Sequence, residues 1–433
     1  MKKKAFFSLV LLLFILTSNP SIKSFFASSS PFETITTPSL PNVDYTPVVV
    51  PNGATAPYKV VDNYKVFHLI AEEISWEVAP GLTINAWGFN GRTPGPVIEV
   101  CQGDKVRIYV TNKLPTMTSI HFHGVQVPCG MDGVAGLTQP PIPTGETFVY
   151  EFTFPDSGTF MYYPHYNGMI ANGMGLSGMI VVHKRELDEK SRPDRDFALL
   201  LHEWKIDVGT FSPNTMRQEF NIFTINGKVM PATEPLVAEI GDKVWIRLGN
   251  VSAIDHHSMS LHGHSFKVIG TAGGWVKDPS LLPAKTTLLV PTRSTKLISF
   301  TANNPGDWLF QNQMTPHCLN QMGQKLPNNV RIQSNDLENR IRKFIPEFRF
   351  LGVAELSNMT ESGLAYPENS IPLDGLTGRW GNFTTLGGMT AILRIRDKTD
   401  NYKDPGPYDF PEGTSAKQAT AAQLNADGIY LLE

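Results

Sequence analysis

The sequence predicts an all-β protein with two tandem Greek-key β-sandwich domains and an irregular C-terminal extension. Three observations predict this fold. Short segments rich in Val, Ile, Thr and Phe alternate with turn signals, and the 433 residues include 36 glycines and 33 prolines. The same order of segments occurs twice, which indicates a duplicated sandwich of about 130 residues. The length is also sufficient for two or three domains.

The N-terminal segment predicts export. It reads MKKKAFFSLVLLLFILTSNP, in which three lysines precede an apolar run of about a dozen residues. This run has the length of a signal-peptide core and is too short for a membrane span. We expect residues 1–27 to be a signal peptide, with an uncleaved anchor as the alternative. The mature protein would be periplasmic or extracellular, with no membrane span, and residues 28–56 would form an extended arm.

The two series of predicted strands define the domains. The first occupies residues 57–190 and the second residues 191–345. In the second, FTINGKVMP corresponds to AWGFNGRTPG of the first, VAEIGDKVWIRLGN to VIEVCQGDKVRIYVTN, and HHSMSLHGHSFKVIG to TSIHFHGVQV. Residues 346–433 are less regular and contain one strand candidate, TAILRIRD. We expect this extension to wrap over the domains and not to form a third sandwich.

Charge and cysteine content limit the function classes. The 37 basic and 40 acidic residues nearly balance, so nothing indicates a nucleic-acid partner. The three cysteines are Cys101, Cys129 and Cys318, and in an exported chain an odd number leaves at least one thiol free, metal-bound or paired between chains. A disulfide between Cys101 and Cys129 is compatible with the sequence, although spacing alone does not show that they meet.

The histidine clusters carry the chemistry of this sequence. They are His121 and His123 in HFHG, His165 in YYPHYNGM, and His257, His262 and His264 in HHSMSLHGH. A spacing of two residues places both histidines of an H-x-H pair on one face of a strand. Imidazole ligates Cu, Zn, Fe and Ni. One such pair is a weak signal, but two at matching positions of a duplicated domain indicate a metal-binding origin.

These motifs resemble those of the multicopper oxidases, specifically the bacterial two-domain, small laccase-like type. The resemblance covers residues 57–345 and rests on HFHGVQVPCGMDGVAGLTQPPIPTGETFVYEFTF and LHGHSFKVIGT. It implies cupredoxin-like domains, a type 1 copper that takes electrons from a reductant, and a trinuclear copper cluster that reduces dioxygen to water. It also implies a homotrimer, with the cluster between the first domain of one subunit and the second domain of the next.

Half of the trinuclear ligands that the resemblance implies are present. Four histidines match the family pattern: His121 as a type 2 ligand, and His123, His165 and His262 as type 3 ligands. The other four positions are occupied by Tyr163, Ser260, Gln311 and Gln313. A complete trinuclear cluster is therefore not expected.

The type 1 ligands implied by the resemblance are incomplete as well. His257, His317 and Met322 match three of them, whereas Asn312 stands at the cysteine position. In a blue copper site that cysteine supplies the thiolate bond to the metal, and the resemblance implies that it also carries electrons to the flanking histidines. Cys318 follows His317 directly, and this shift of one residue from the ligand position should direct its side chain elsewhere. Full oxidase activity is therefore not expected.

Three functions stay open at this point. A residual copper protein would keep one copper (or zinc) ion at the four trinuclear histidines, and its His2Met set at the former type 1 position would suit Cu(I). A metal-free family member would act as an envelope scaffold or binding protein. A weak copper-dependent oxidoreductase is the third function. The sequence identifies no reducing substrate and no protein partner.

Overall fold

The computed structural model describes residues 45–79, 82–206, 210–318, 377–378, 381–382 and 387–429. The regular secondary structure in these ranges is mostly β-strand, and the described residues from Tyr45 onward belong to one compact unit. The predicted all-β fold is confirmed. None of the helices in these ranges is long and apolar enough to cross a membrane. The predicted signal peptide and most of the predicted arm lie outside the described residues.

The first sandwich packs a five-stranded sheet against a four-stranded sheet. The arm contributes strand β1 (Val48–Val49). The strands of the first sandwich are, in chain order, β2 (Tyr58–Val61), β3 (Tyr64–Ala79), β4 (Leu82–Phe89), β5 (Ile98–Cys101), β6 (Lys105–Asn112), β7 (His121–His123), β8 (Thr147–Thr153), β9 (Gly158–Tyr163) and β10 (Gly178–His183). One sheet has the order β2-β3-β6-β8 with β4 beside β3, and the other β5-β10-β9-β7. A short helix α1 (Gly168–Gly173) separates β9 from β10. In β6, Val106, Ile108 and Val110 alternate into the core, as period-two patterning predicts.

The second sandwich follows directly. Its strands are β11 (Arg195–Trp204), β12 (Ile222–Ile225), β13 (Leu236–Glu239), β14 (Lys243–Asn250), β15 (His257–Leu261), β16 (Lys267–Thr271), β17 (Gly274–Trp275), β18 (Thr287–Val290), β19 (Thr295–Thr301) and β20 (Gly306–Asn312). After them come β21 (Thr377–Gly378) and β22 (Gly381–Asn382), which pair with each other, β23 (Thr390–Arg396) and helix α2 (Ala421–Ala426). Its sheets have the orders β1-β11-β14-β19-β16-β17, with β12 beside β11, and β13-β23-β20-β15-β18.

The duplication seen in the sequence is present in the topology. β3 pairs in parallel with β6 in the first sandwich, as β11 does with β14 in the second. The order β5-β10-β9-β7 likewise recurs as β13-β23-β20-β15. Equivalent strands therefore present equivalent positions in the two domains, which is the basis for comparing their sites.

One central strand of the second sandwich comes from the C-terminal extension. β23 lies in the predicted TAILRIRD segment. It pairs antiparallel with β20 and parallel with β13. Its residues Ala391, Leu393 and Ile395 are buried in the second core. We expected the whole extension to wrap over the domains, but a sandwich ending at residue 345 would lack this strand. The segment after β23 does lie on the second domain, where Thr399 donates to Glu239 and Tyr408 to Asp307.

The two sandwiches share a buried contact. β9 and β10 are buried on both faces because Phe160 and Tyr162 enter the first core while Met161 and Tyr163 face the second domain. This second face packs on β11. A buried ion pair lies beside it, between Arg247 Nη2 and Asp196 Oδ2 at 2.9 Å, and Arg247 Nη1 donates to Thr159 Oγ1 of the first domain at 2.9 Å.

Candidate metal centres

The H-x-H pair of the first sandwich lies on one face of β7, as its spacing predicts. Phe122 is fully buried in the first core, so His121 and His123 project from the opposite side. β7 pairs antiparallel with β9, where Tyr163 lies opposite His121. His165 follows β9, and its side chain is exposed. Strand pairing thus brings three of the four surviving trinuclear histidines to one edge of the first domain.

The rings of His123 and His165 both lie close to the ring of His121. The ring centroid of His121 is 5.7 Å from that of His123 and 6.1 Å from that of His165. Imidazoles bound to one metal at about 2 Å have centroids roughly 5–6 Å apart. The His121–His123 separation lies within this range, and the His121–His165 separation lies just beyond it.

One nitrogen of each ring in the H-x-H pair is already engaged. His121 Nδ1 lies 2.8 Å from the Asp132 backbone oxygen and 3.4 Å from its Oδ1, and His123 Nδ1 lies 2.7 Å from the Tyr163 hydroxyl. Metal-binding histidines commonly use one nitrogen in this way and present the other to the ion. Burial, and then the neighbouring His121, lower the pKa of His123, which favours its neutral, ligating form.

Arg293 of the second sandwich lies against this cluster. Its guanidinium carbon is 4.4 Å from the centroid of the Tyr163 ring. Burial lowers the pKa of Arg293, and Tyr163 and Glu203 oppose this shift. A cation fixed here raises the electrostatic cost of placing several metal ions nearby. The surroundings fit one ion better than three.

His262 is not brought into this cluster. It follows β15 in the second sandwich with an exposed side chain, and none of the ring contacts of the described residues joins it to the other three histidines. In the part of the chain that the structure describes, no group of three or more His, Cys, Asp or Glu side chains is close enough to hold a metal without rearrangement. A fourth ligand, or movement of the rings, is needed to complete the site.

Ser260, at one of the lost trinuclear positions of the second sandwich, now makes hydrogen bonds within the protein. Ser260 Oγ donates to the Thr286 carbonyl at 3.0 Å and accepts from Thr287 Oγ1 at 3.0 Å. Gln311 lies opposite Ser260 in the β15–β20 ladder. Hydroxyl and amide groups are poor substitutes for imidazole as copper ligands. The residues present do not fit a trinuclear cluster.

The former type 1 position is a closed pocket inside the second sandwich. His257 and Asn312 are fully buried there, and His317 is 5% exposed. Asn312 Nδ2 lies 3.0 Å from His257 Nδ1, 3.2 Å from His317 Nδ1 and 3.5 Å from Met389 Sδ. An amide nitrogen therefore stands at the centre of two imidazoles and a thioether. These residues, as arranged, do not fit a type 1 copper.

Met389 is a site residue that the sequence analysis missed. Met322, selected from its spacing after His317, lies outside the described residues. Met389 is fully buried directly before β23. A signal for it existed in the repeat, because Gly388-Met389 before β23 corresponds to Gly175-Leu176 before β10, and both glycines have positive φ. Residues 319–386 separate Met389 from His317, so motif spacing could not connect them.

Burial favours the neutral forms of both imidazoles in the pocket. Burial, and then the neighbouring His317, lower the pKa of His257 to about 3. Burial also lowers the pKa of His317, against the opposing effect of Asp255. Phe223 stacks on His317 with ring centroids 4.0 Å apart. Cys318 does not replace the missing ligand, since its thiol donates to the Thr315 carbonyl at 3.3 Å.

All three cysteines are free thiols. Cys101 ends β5 and is partly buried, whereas Cys129 lies exposed in a 3-10 turn, Cys129–Met131. The disulfide that the sequence allowed between them is not formed. Burial raises the pKa of both Cys101 and Cys318, which keeps these thiols protonated.

Comparison with known proteins agrees with the fold and the motifs. Two family models described as multicopper oxidase match residues 71–187 and 205–330, together more than half of the chain. The iron transport multicopper oxidase fetC of Epichloe festucae is 30% identical over 200 residues, which are 44% of this chain and 32% of fetC. Copper resistance protein A of Pseudomonas syringae pv. tomato is 29% identical over 160 residues, 37% of this chain and 25% of that protein. The chain spans about a third or less of these relatives.

Solved structures share the same fold. The blue copper oxidase from Nitrosomonas europaea is 21% identical with a TM-score of 0.56, over 76% of this chain and 85% of that chain. The multicopper oxidase mgLAC is 24% identical with a TM-score of 0.57, over 81% and 89%. Together with the sheet topology, these likenesses show cupredoxin-like domains, as the resemblance implied.

Proposed function

The chain belongs to the multicopper oxidase family, and from this premise we propose that it is an exported copper-binding protein that does not reduce dioxygen. The observation that carries the proposal is the convergence of His121, His123 and His165 at one edge of the first domain, where a movement of the rings would let them share one ion. Two of these rings are oriented through their Nδ1 atoms by Asp132 and Tyr163. Copper bound there would supply a Lewis acid and a one-electron redox centre.

The absence of oxidase turnover follows from the missing ligands. Four-electron reduction of dioxygen in this family needs a type 1 centre and a trinuclear cluster, and neither set is complete here. Asn312 cannot supply thiolate bonding. Tyr163, Ser260, Gln311 and Gln313 replace half of the cluster histidines. Electrons therefore lack both the entry centre and the centre that would use them.

We further propose that the protein is a homotrimer in the periplasm or outside the cell. The exposed side chains of His165 and His262 support this, because His262 of one subunit could then complete the copper set of the next. The apolar run after three lysines supports export. Sedimentation of the mature protein tests the assembly, and a monomer would contradict it.

Copper content tests the proposed function. Metal-free mature protein is loaded with Cu(II), freed of loosely bound ions and analysed for copper and by EPR. We expect about one copper per chain with a type 2 spectrum and no blue absorption. His121→Ala should lose this copper. His68→Ala is the matched control, because His68 is an exposed histidine on β3, outside the clusters. Its Nε2 lies 2.7 Å from Thr111 Oγ1.

Three outcomes would contradict the proposal. Rapid oxygen uptake with phenols or metal ions as reductants would show an oxidase, and slow uptake abolished by His121→Ala would show a weak copper-dependent oxidoreductase. Absence of bound copper would support the second candidate, a metal-free envelope scaffold or binding protein. That candidate is favoured by one observation, the pocket around Asn312, which satisfies its polar atoms without a metal.

A further inference from the structure

The pocket around Asn312 retains three type 1 donor atoms although the cysteine is gone. They are His257 Nδ1, His317 Nδ1 and Met389 Sδ, and all lie within 3.5 Å of Asn312 Nδ2. Two imidazoles and a thioether around one point form a set that suits copper. In this chain the point is occupied by a nitrogen of the protein itself.

The hydrogen positions of the pocket follow from the chemistry of a carboxamide. Asn312 has two N–H donors and directs them to the Nδ1 atoms of His257 and His317. Each imidazole must accept at Nδ1 and so carries its proton on Nε2. The surroundings agree, since His257 Nε2 lies 2.7 Å from Ser252 Oγ and His317 Nε2 lies 3.4 Å from Asp255 Oδ2.

The orientation of the amide is fixed from its other end. The Met314 backbone N–H donates to Asn312 Oδ1 at 2.9 Å. If the amide turned over, its oxygen would face two accepting ring nitrogens and its NH2 group would face an N–H donor. A buried polar group without a partner is strongly destabilising. The amide is therefore held in one arrangement, with every polar atom paired.

We infer that the Asn312 amide replaces the copper ion itself and not only the cysteine ligand, so that this pocket excludes copper and is reopened by one substitution. Side-chain length explains both parts. Nδ2 is two bonds from Cβ and reaches the centre of the pocket, whereas a cysteine sulfur is bonded directly to Cβ. Asn312→Cys would clear the centre and leave a thiolate at its edge, facing His257, His317 and Met389.

The test compares variants that differ in one feature each, all made in the His121→Ala background to remove the surface copper. Asn312→Cys should gain one copper per chain and an intense blue thiolate-to-copper band. Asn312→Ser, which shortens the side chain without a thiolate, should show no such band. Adding Met389→Leu to the cysteine variant should change the band and the EPR spectrum, whereas adding Met322→Leu should leave both unchanged.

Several results would overturn the inference. The cysteine variant could stay colourless although its circular dichroism and melting temperature match those of Asn312→Ser. Alternatively, Met322→Leu could change the spectrum while Met389→Leu does not. Because surface copper is absent from this background, either result is independent of the function proposed above.

A measurement without substitution in the pocket covers the case in which these variants do not fold. Nitrogen-15 NMR of labelled histidines in the His121→Ala protein should show His257 and His317 as neutral rings protonated at Nε2. Added Cu(II) should leave both signals unbroadened. Copper-dependent loss of these two signals would show that the unaltered pocket binds copper, and the inference would be wrong.

Discussion

At the scale of single residues, most of the polar side chains at the lost ligand positions have taken a new partner. Tyr163 bonds to His123, Ser260 bonds to Thr286 and Thr287, and the Asn312 amide bonds to two imidazoles. Gln311 differs, because its buried Oε1 has no partner among the described residues. Buried polar atoms need hydrogen bonds, so these pairings explain how the fold persists without the metal ligands.

Glu203 gives a prediction about pH. It accepts from the Ile254 backbone at 2.9 Å, and its buried carboxyl lies beside that of Asp255, which favours the protonated form as well. Burial raises the pKa of Glu203 to about 8. The folded state then holds a proton that the unfolded state releases near pH 4.5, so this group's contribution to stability falls as pH rises from there to about 8.

Glu203→Gln removes this titration. The unfolding free energy of the variant minus that of the unaltered protein should increase as pH rises from 5 to 8, by at most about 1.4 kcal/mol per pH unit. Urea unfolding at several pH values measures the difference. Glu73→Gln, at an exposed position, serves as the control, and its difference in unfolding free energy should change much less with pH. A flat profile for Glu203→Gln as well would mean that the carboxyl ionises normally.

At the scale of elements, the sequence predicted what repeats and alternates. The placement of His121 and His123 on one face of β7 followed from period two, and the equivalence of the two sandwiches followed from matching segments. β23 was recognised as a strand but not assigned to the second sandwich, because residues 319–386 separate it from β20. Met389 was missed for the same reason. That the Asn312 amide lies between His257, His317 and Met389 depends on distances between side chains from separate segments, and a sequence pattern does not contain these distances.

The assignment of β23 to the second core can be tested by truncating one of its side chains. Leu393 is fully buried in that core, so Leu393→Ala should lower the unfolding free energy by about 2–5 kcal/mol. Lys398→Ala is the control just after the strand, with a side chain 88% exposed, and should be nearly neutral. Urea denaturation measures both. Equal, small effects would place the strand outside the core.

At the scale of the whole molecule, folding should not depend on copper. The buried pocket is filled by protein hydrogen bonds, and the remaining histidine cluster lies partly exposed at the surface. Structural metals contribute to folding when their ligands are buried around them. Protein in saturating chelator should therefore keep its circular dichroism spectrum and a cooperative melting transition, although loss of bound copper lowers the melting temperature by mass action. Loss of the β-sheet spectrum in chelator would contradict this prediction.

The buried contact between the sandwiches has a mechanical consequence. β9 and β10 contribute to the core of the first domain and to its contact with β11 at the same time. Opening a hinge between the domains would expose Met161, Met179 and Leu200 to water and separate Arg247 from Thr159. The buried contact therefore opposes hinge opening between the two domains. A partner or an ion meets two sandwiches whose relative placement is already held by buried contacts, so that adjustment on binding falls to side chains such as the histidine rings.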